Sequence, residues 1–300
     1  PQGCGVVVLK PIFVLALITF FCVGAAVADI CVRDDSGADV CLSKPAQRII
    51  ALSPGATELI YAAGGGDQVI AAVSYCDYPE AAKALPRVGS YNRFDQEAIL
   101  AQKPDLLIAW IEGNPAEQLA KLKSLGLTIY YTQLNDFDDV SSSLERLGKL
   151  AGSETQAKLA ADKFRAGIAE LEDRYSQSAP VTVFQQIWSN PLMTVNNEHI
   201  ISEATRICGG VNVFGNLPNL SARIDNEAVL AADPEAIIAG GMGEENRDWL
   251  DEWLRFSVLT AVRRNNLFFI PPSTIQRPTP RLLEGTTLLC QHLETARGRR

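Results

Sequence analysis

A sixteen-residue segment occurs twice in this 300-residue chain, and the two copies are 130 residues apart. The first copy runs from Phe94 to Ala109 and the second from Ile224 to Ala239, with eight identical positions. Each copy places an Asp suited to cap a helix before a short helix, a Pro-initiated turn and an apolar strand. Convergence of two ordinary αβ units is the alternative. We interpret the repeat as two equivalent structural units in one chain.

Patterns of strand and helix alternate around both copies of the repeat. Such alternation is typical of α/β folds with largely parallel sheets, and its presence in both halves predicts two α/β lobes. In the first half, we predict strands over 48–52, 69–73, 106–110 and 128–132, and helices over 56–63 and 115–125. In the second half, we predict strands over 181–186, 236–239 and 267–270, and a helix over 199–207.

The segment between the two halves predicts one long helix. Residues 153–176 carry apolar side chains at helical spacing without an interrupting Gly or Pro pair, and Ser153 followed by Gln156 resembles a capping box. A single stiff helix predicts lobes that move only slightly around the cleft between them. The predicted organisation is an N-terminal extension at 29–47, a lobe at 48–152, the linking helix at 153–177, a second lobe at 178–296 and a basic tail at 297–300.

Residues 1–28 have the pattern of a secretory signal peptide. Lys10 is the only charged residue before Asp29, and the apolar run that starts at Pro11 ends in the small-x-small sequence Ala26-Val27-Ala28. A transmembrane anchor is the alternative, because the run could nearly span a bilayer. No basic stop-transfer cluster follows the run, so we predict cleavage after Ala28 and export.

Export would place five cysteines in an oxidising compartment. Cys31 and Cys41 flank Asp34-Asp35-Ser36-Gly37, a turn signal that favours a local bridge between them. That bridge would leave Cys208 and Cys290 to tie a helix to the C-terminal helix, with Cys76 free. Sequence spacing alone leaves the pairing open.

The charge balance and the missing motifs argue against several functions. With 27 Lys and Arg against 35 Asp and Glu, the formal net charge is −8, which argues against a nucleic-acid partner. The chain has no Gly-rich phosphate loop and no GxSxG, HExxH or CxxC motif. His199 and His292 are too few for a histidine metal site. We therefore predict neither catalytic residues nor a bound metal; a secreted two-lobed enzyme is the alternative from another class.

Four aromatic residues follow predicted strands or lie in nearby loops: Tyr75, Tyr91, Trp110 and Trp188. Open α/β sheets bind ligands at the carboxyl ends of their strands. Aromatic rings at such positions offer large, rigid contact surfaces that lose little entropy on binding. Convergence of these rings on one cleft would favour a wide, flat, partly apolar ligand over a sugar or an ion.

Several segments resemble a known family. The sequences RIIALSPGATEL at 48–59, SYCDYP at 74–79, KPDLLIAW at 103–110, ICGGVNVF at 207–214 and TPR at 279–281 are similar to the cobalamin-binding members of the periplasmic binding proteins for haem, siderophores and cobalamin. This resemblance covers nearly all of residues 48–293. It implies two Rossmann-like lobes on one rigid helix, and a corrinoid carried to the permease subunits of an inner-membrane ABC importer. No other cofactor is implied, and we expect a monomer.

The resemblance also implies roles for individual residues. Tyr75 and Trp110 match aromatic residues that contact the corrinoid, Tyr91 stands in place of a tryptophan, and Trp188 is an additional aromatic. Arg277 matches a basic residue beside the ligand. The segment expected to line the site consists of Ser273, Thr274, Ile275, Gln276 and Arg277, with Ser273 in place of an acidic residue. These replacements leave cobalamin, cobinamide or an analogue as the ligand form, and the resemblance further implies a Cys208–Cys290 bridge.

Glu97 and Glu227 occupy the same place in the two repeat copies. Two equivalent carboxylates are what a two-fold transporter would bind, one arginine from each membrane subunit pairing with one glutamate, and the resemblance implies the same docking role. The local alternative is that each carboxylate favours its own helix dipole. For the ligand, haem is the nearest alternative, because Tyr75 or Tyr91 could bind its iron.

Overall fold

The computed structural model describes residues 1–5, 29–241 and 243–300. The predicted signal peptide at 1–28 therefore lies outside the described residues, apart from its first five positions. Among the described residues, no helix is both long enough and apolar enough to cross a membrane.

The N-terminal lobe is built on a four-stranded parallel sheet with strand order β4-β3-β7-β8. Short antiparallel pairs, β1 with β2 and β5 with β6, lie outside this sheet. In chain order, the elements up to the linking helix are β1 (Ile30–Arg33), β2 (Asp39–Leu42), β3 (Ile49–Ala51), α1 (Pro54–Ala62), β4 (Val69–Ala72), β5 (Gly89–Ser90), β6 (Arg93–Phe94), α2 (Gln96–Ala101), β7 (Leu106–Trp110), α3 (Ala116–Ser124), β8 (Ile129–Thr132) and α4 (Phe137–Ala151).

The linking helix α5 (Glu154–Tyr175) has 22 residues and connects the lobes without a break. The predicted capping box at its start is wrong, because the Ser153 hydroxyl donates to the Ala63 carbonyl oxygen at 2.6 Å and makes no cap bond. A capping box is present instead at the start of α4, a helix that the sequence patterns above did not predict, where Asp136 and Asp139 each accept a backbone N–H bond.

The C-terminal lobe repeats the parallel arrangement, with strand order β11-β9-β13-β14. An antiparallel pair, β10 with β12, lies beside it. The elements are β9 (Val181–Gln186), β10 (Met193–Val195), α6 (Ile200–Ile207), β11 (Gly210–Asn212), β12 (Ser221–Arg223), α7 (Asn226–Ala232), β13 (Ala236–Ala239), α8 (Asp248–Asp251), α9 (Thr260–Arg263), β14 (Leu267–Phe269), α10 (Pro272–Ile275) and α11 (Leu282–Gly298).

The two sheets have the same winding order, and the sequence repeat occupies the same place in each. In both lobes, the second strand of the sheet along the chain pairs with one side of the first, and the third strand pairs with its other side. The repeat copies form α2 with β7 and α7 with β13. Asp95 accepts from the Ala98 amide and Asp225 from the Ala228 amide, so both predicted N-caps are confirmed. The prediction of two α/β lobes with parallel sheets is confirmed as well.

The turn of the hairpin β1–β2 contacts β8, one of the two edge strands of the N-terminal sheet. A Cys31–Cys41 disulfide joins its two strands. The Asp35 amide donates to the Tyr131 carbonyl oxygen on the edge strand β8, and the carboxylates of Asp34 and Asp35 accept from the Tyr131 and Gln133 amides. Asp35 also forms an ion pair with Arg146 of α4 at 2.7 Å. The hairpin is thereby fixed to the lobe by backbone and charged contacts.

The C-terminal helix α11 is fastened to the second lobe along its length. A Cys208–Cys290 disulfide ties it to the end of α6. The predicted basic tail at 297–300 does not extend away from the lobe. Arg297 donates to the carbonyl oxygens of Ala179 and Cys208, and Arg300 forms an ion pair with Glu235. Cys76 is a buried free thiol.

One apolar core runs through both lobes and the linking helix. It includes Leu59 of α1, Phe164 of α5, Ile201 of α6 and Leu289 of α11. The Phe137 amide also donates to the Glu203 carboxylate at 3.2 Å, which joins α4 to α6. Because protein cores pack densely, a core shared by both lobes and α5 resists large relative movement of the lobes.

Candidate functional site

A cavity of about 190 Å³ lies between the lobes at the carboxyl ends of β3 and β7. These two strands are neighbours at the point where the winding order of the sheet reverses, which is where open α/β sheets bind ligands. The N-terminal lobe supplies most of the lining and the C-terminal lobe supplies one loop. The lining residues are Ser53, Pro54, Gly55, Ala56, Leu59, Tyr91, Trp110, Thr132, Leu134, Gln276, Arg277 and Pro278.

Two aromatic side chains form one wall of this cavity. Trp110 is the last residue of β7, and Tyr91 lies in the turn between β5 and β6. Their ring centroids are 6.3 Å apart, and both rings are partly exposed. The opposite lobe contributes Gln276, Arg277 and Pro278. The cavity therefore combines flat apolar surface with a small number of hydrogen-bond donors, as ligand sites commonly do.

Arg277 is held by two carboxylates of the other lobe. Its Nη1 donates to Glu58 Oε1 at 2.8 Å and to Asp77 Oδ1 at 2.9 Å. Glu58 lies on α1 and is only 2% exposed, whereas Asp77 lies in the loop after β4 and is 50% exposed. Arg277 was predictable from the sequence, whereas Glu58 and Asp77, which lie at least 200 residues away from Arg277 along the chain, were not.

Glu58 is the centre of a wider polar cluster between the lobes. Its second oxygen accepts from the Thr279 hydroxyl at 2.8 Å, and Arg281 lies 3.6 Å from the first. Burial raises the pKa of the Glu58 carboxyl, against the hydrogen bonds from Arg277 and Thr279, which lower it. The Arg281 guanidinium also stacks 4.2 Å from the ring centroid of Tyr78. This cluster joins α1 to the segment before α11 at the edge of the cavity.

The remaining predicted ligand residues do not line the cavity. Tyr75 is 73% exposed, and its carbonyl oxygen accepts a 3.5 Å bond from Arg277 Nη2, which places Tyr75 next to the cavity. Trp188 follows β9 and packs edge-on against Trp249, with ring centroids 5.5 Å apart. The rings of Tyr75 and Trp188 are both exposed, and each lies on a loop that follows a strand.

Ser273, Thr274 and Ile275 form the short helix α10 and are buried. The Ser273 hydroxyl donates to Glu244 at 2.6 Å, and the Thr274 hydroxyl donates to the Pro271 carbonyl oxygen. In the predicted segment 273–277, only Gln276 and Arg277 therefore reach the cavity. Contact of Ser273, Thr274 and Ile275 with a ligand stays a prediction.

A second cavity of about 470 Å³ also reaches Glu58. It lies between α1, α5 and the start of α11, and includes Lys163, Phe164 and Arg281 in its lining. No strand ends in it, and none of the nine predicted ligand residues lines it. We therefore regard the smaller cavity at the strand ends as the candidate site.

Glu97 and Glu227 are both exposed, one on each lobe. Each occupies the first turn of its helix, α2 or α7. Within the described ranges, neither carboxylate forms an ion pair with another side chain. Both carboxylates are therefore accessible to solvent.

The two histidines have structural surroundings. The His199 ring accepts from the Ile201 amide at 3.1 Å and caps α6, and burial lowers its pKa to about 4. His292 stacks on Phe268, with ring centroids 4.6 Å apart. In the part of the chain that the structure describes, no group of three or more His, Cys, Asp or Glu residues could hold a metal ion.

Two α/β lobes on one long helix, with an aromatic cavity between them, define a two-lobed ligand-binding protein. Residues 49–274 match the family model described as periplasmic binding protein, and the chain belongs to that family. It is 36% identical over 231 residues to the vitamin B12-binding protein of Vibrio campbellii, which covers 77% of this chain and 83% of the relative. The vitamin B12-binding protein of Yersinia pestis is also 36% identical, over 75% of this chain and 78% of the relative.

Solved structures of periplasmic binding proteins superpose on this chain. The periplasmic vitamin B12-binding protein of Vibrio cholerae superposes with a TM-score of 0.77 at 35% identity, covering 84% of this chain and 98% of that one. A periplasmic haem-binding protein from Roseiflexus sp. RS-1 superposes with a TM-score of 0.74 at 23% identity, covering 83% and 99%. The second comparison shows a shared fold.

Proposed function

We propose that this protein binds a corrinoid, cobalamin or an analogue, in the cleft between its lobes and delivers it to an inner-membrane ABC importer without carrying out a reaction. The observation that carries the proposal is 36% identity, over more than three quarters of the chain, to proteins described as vitamin B12-binding. The cavity supports it, because Tyr91 and Trp110 supply flat aromatic surface and Gln276 and Arg277 supply donors.

The chemistry of a corrinoid fits these residues. Its cobalt is already held by the corrin ring, so a binding protein has no need to supply a metal site, and its edge carries amides that accept hydrogen bonds. A ligand of this size exceeds the cavity of about 190 Å³, since sites for drug-sized molecules already span about 300–1,000 Å³. We infer that it also covers the open cleft, where the exposed rings of Tyr75 and Trp188 offer further contact area.

Calorimetric titration with cobalamin, cobinamide and haem tests this assignment. We expect saturable heat with a corrinoid and quenching of tryptophan fluorescence at micromolar concentration or below. Trp110→Ala should weaken corrinoid binding about tenfold or more, because it removes an aromatic contact surface. Leu159→Ala, an exposed apolar residue on α5 outside the cavity, serves as the matched control and should bind as wild type does. Saturation with haem and no heat with either corrinoid would overturn the assignment in favour of haem.

Recovery of the ligand distinguishes a binding protein from a secreted enzyme. After incubation with cobalamin or cobinamide, mass spectrometry of the released ligand should show the starting compound unchanged. Release of a modified corrinoid, at a rate that scales with protein concentration, would contradict the proposal of a protein that only binds and releases.

Glu97 and Glu227 are the proposed contacts with the permease subunits. We expect Glu97→Ala and Glu227→Ala to leave ligand affinity unchanged and to weaken association with the importer, most in the double variant and less visibly at high salt. Glu117→Ala is the matched control, because Glu117 is an exposed carboxylate in the first turn of α3 that has no counterpart in the repeat. If the double variant binds the importer like the control at low salt, the carboxylates act only on their own helices.

Periplasmic localisation through cleavage of residues 1–28 is the remaining part of the proposal. The Cys31–Cys41 and Cys208–Cys290 disulfides are consistent with an oxidising compartment. Mass spectrometry of protein from a periplasmic extract should give a first residue of Asp29, and light scattering should give the mass of a monomer. Retention of residues 1–28 in a membrane fraction would instead support the transmembrane anchor.

A further inference from the structure

The buried side chain of Asn114 joins three separate parts of the cavity wall. Its Oδ1 accepts from the Trp110 amide at 2.7 Å. Its Nδ2 donates to the Leu52 carbonyl oxygen at 2.9 Å and to the Tyr91 carbonyl oxygen at 2.8 Å. One amide group therefore connects the residue that follows β3, the last residue of β7 and the turn that carries Tyr91.

Both aromatic rings of the wall depend on this loop. Tyr91 lies in a hairpin whose strands have only two residues each, so few ladder bonds fix its backbone. The Trp110 indole lies against Gly113, where an added Cβ would come within 1.8 Å of the ring. The loop that contains Gly113 and Asn114 thus packs against the Trp110 indole and binds the backbone of Tyr91 beside it.

If Asn114 only capped a turn, the two bonds that its Nδ2 donates would not be needed. The bond from the Trp110 amide closes the turn Trp110–Asn114, and an Asp or Ser could accept it equally well. The two bonds donated by Nδ2 reach carbonyl oxygens 62 and 23 residues away. They need a group with two donor hydrogens, which the Asn amide has, whereas a Ser hydroxyl has one and an Asp carboxylate has none. We infer that Asn114 is a positioning residue that sets the separation and orientation of Tyr91 and Trp110 for the ligand. This inference rests on the proposed function, in which both rings contact the corrinoid.

Asn114→Asp separates the two roles, because a carboxylate keeps the acceptor for the Trp110 amide but faces the Leu52 and Tyr91 carbonyl oxygens without a donor. We expect Asn114→Asp to weaken cobalamin binding about tenfold. In the Tyr91→Ala/Trp110→Ala background, the same change should cost less than about twofold, because the residues through which it acts are gone. Wild-type affinity in Asn114→Asp, or an equal loss in both backgrounds, would overturn the inference.

A measurement without ligand keeps the test independent of the proposed function. In protein labelled with 5-fluorotryptophan, Asn114→Asp should shift the ¹⁹F resonance of Trp110 and leave that of Trp188 in place. Gln118→Ala is the matched control, because the Gln118 side chain accepts from the Phe94 amide at the other end of the same hairpin and does not line the cavity. If wild type binds no corrinoid, this resonance still decides the positioning role, and an unshifted Trp110 signal refutes it. Asn114→Ser, read in the same way, replaces Asn114→Asp if that variant does not fold.

Discussion

The ion pairs of Arg277 give a direct test of how burial determines the strength of a contact. Glu58 and Asp77 accept from the same nitrogen of Arg277 at nearly equal distances, 2.8 and 2.9 Å. Glu58 is 2% exposed and Asp77 is 50% exposed. Breaking a buried pair by removing one partner costs about 3–5 kcal/mol, whereas an exposed pair contributes about 0–1 kcal/mol. We therefore expect Glu58→Ala to lower the free energy of unfolding by about 3–5 kcal/mol and Asp77→Ala by less than about 1 kcal/mol.

Urea unfolding at neutral pH, followed by circular dichroism, measures both variants under the same conditions. Glu58→Gln should fall between them, because it keeps an acceptor but leaves Arg277 and Arg281 without a buried counter-charge. Equal slopes of the unfolding curves would show that the same surface is exposed in each variant. An equal loss for Glu58→Ala and Asp77→Ala, or a loss below about 1 kcal/mol for Glu58→Ala, would refute the reasoning from burial.

Three further outcomes follow from the fold. Burial lowers the pKa of His199 from 6.5 to about 4, so the unfolded chain binds a proton at this residue more readily than the folded chain does. The free energy of unfolding should therefore fall by up to about 3 kcal/mol as the pH drops from 6.5 to 4. His199→Asn keeps a capping acceptor and should flatten that part of the pH profile of the urea midpoint. Ligand binding should change the radius of gyration by less than about 1 Å in solution scattering, because α5 and the shared core hold the lobes, and a change of several ångströms would contradict this. Replacing both cysteines of the Cys208–Cys290 bridge by alanine should lower the free energy of urea unfolding by about 4–5 kcal/mol, against about 3 kcal/mol for Cys31–Cys41. The difference is expected because the two bridges close loops with separations of 82 and 10 residues. Equal losses would mean that loop length does not govern the effect.

The parts of the fold that local sequence determines were predictable. The strands at 106–110, 181–186 and 236–239 and the caps Asp95 and Asp225 match the structure, because each follows from a short apolar run or a capping side chain. Helix α4 was missed although its signals are present: Asp136 and Asp139 form its capping box, and Phe137, Val140, Leu144 and Leu147 are buried at helical spacing. Three consecutive serines and Gly148 lower its helix propensity and obscure that pattern.

The parts of the site that depend on tertiary contacts could not be read from the sequence. Trp110 and Tyr91 were predictable because aromatic residues near strand ends stand out in a sequence. Asn114 resembles an ordinary turn residue until the fold brings Leu52 and Tyr91 against it. Glu58 lies within an apolar helix, where its charge gains meaning only from Arg277, 219 residues later. Strand β11 has three residues and forms by pairing with β9, so no local pattern marks it.

The turn of the β1–β2 hairpin, which contacts β8, affects how readily this protein can pair with another polypeptide. An uncovered edge strand presents a row of free amides and carbonyls to which a strand of another polypeptide can add. Asp34 and Asp35 occupy the Tyr131 and Gln133 amides of that edge, and Asp35 also places negative charge there. Asp34 and Asp35 therefore leave fewer free amides at this edge for a strand of another polypeptide. A chain shortened to begin at Arg48 would free these amides for intermolecular pairing, and it would also remove Val32, Val40 and Ala46 from the apolar core.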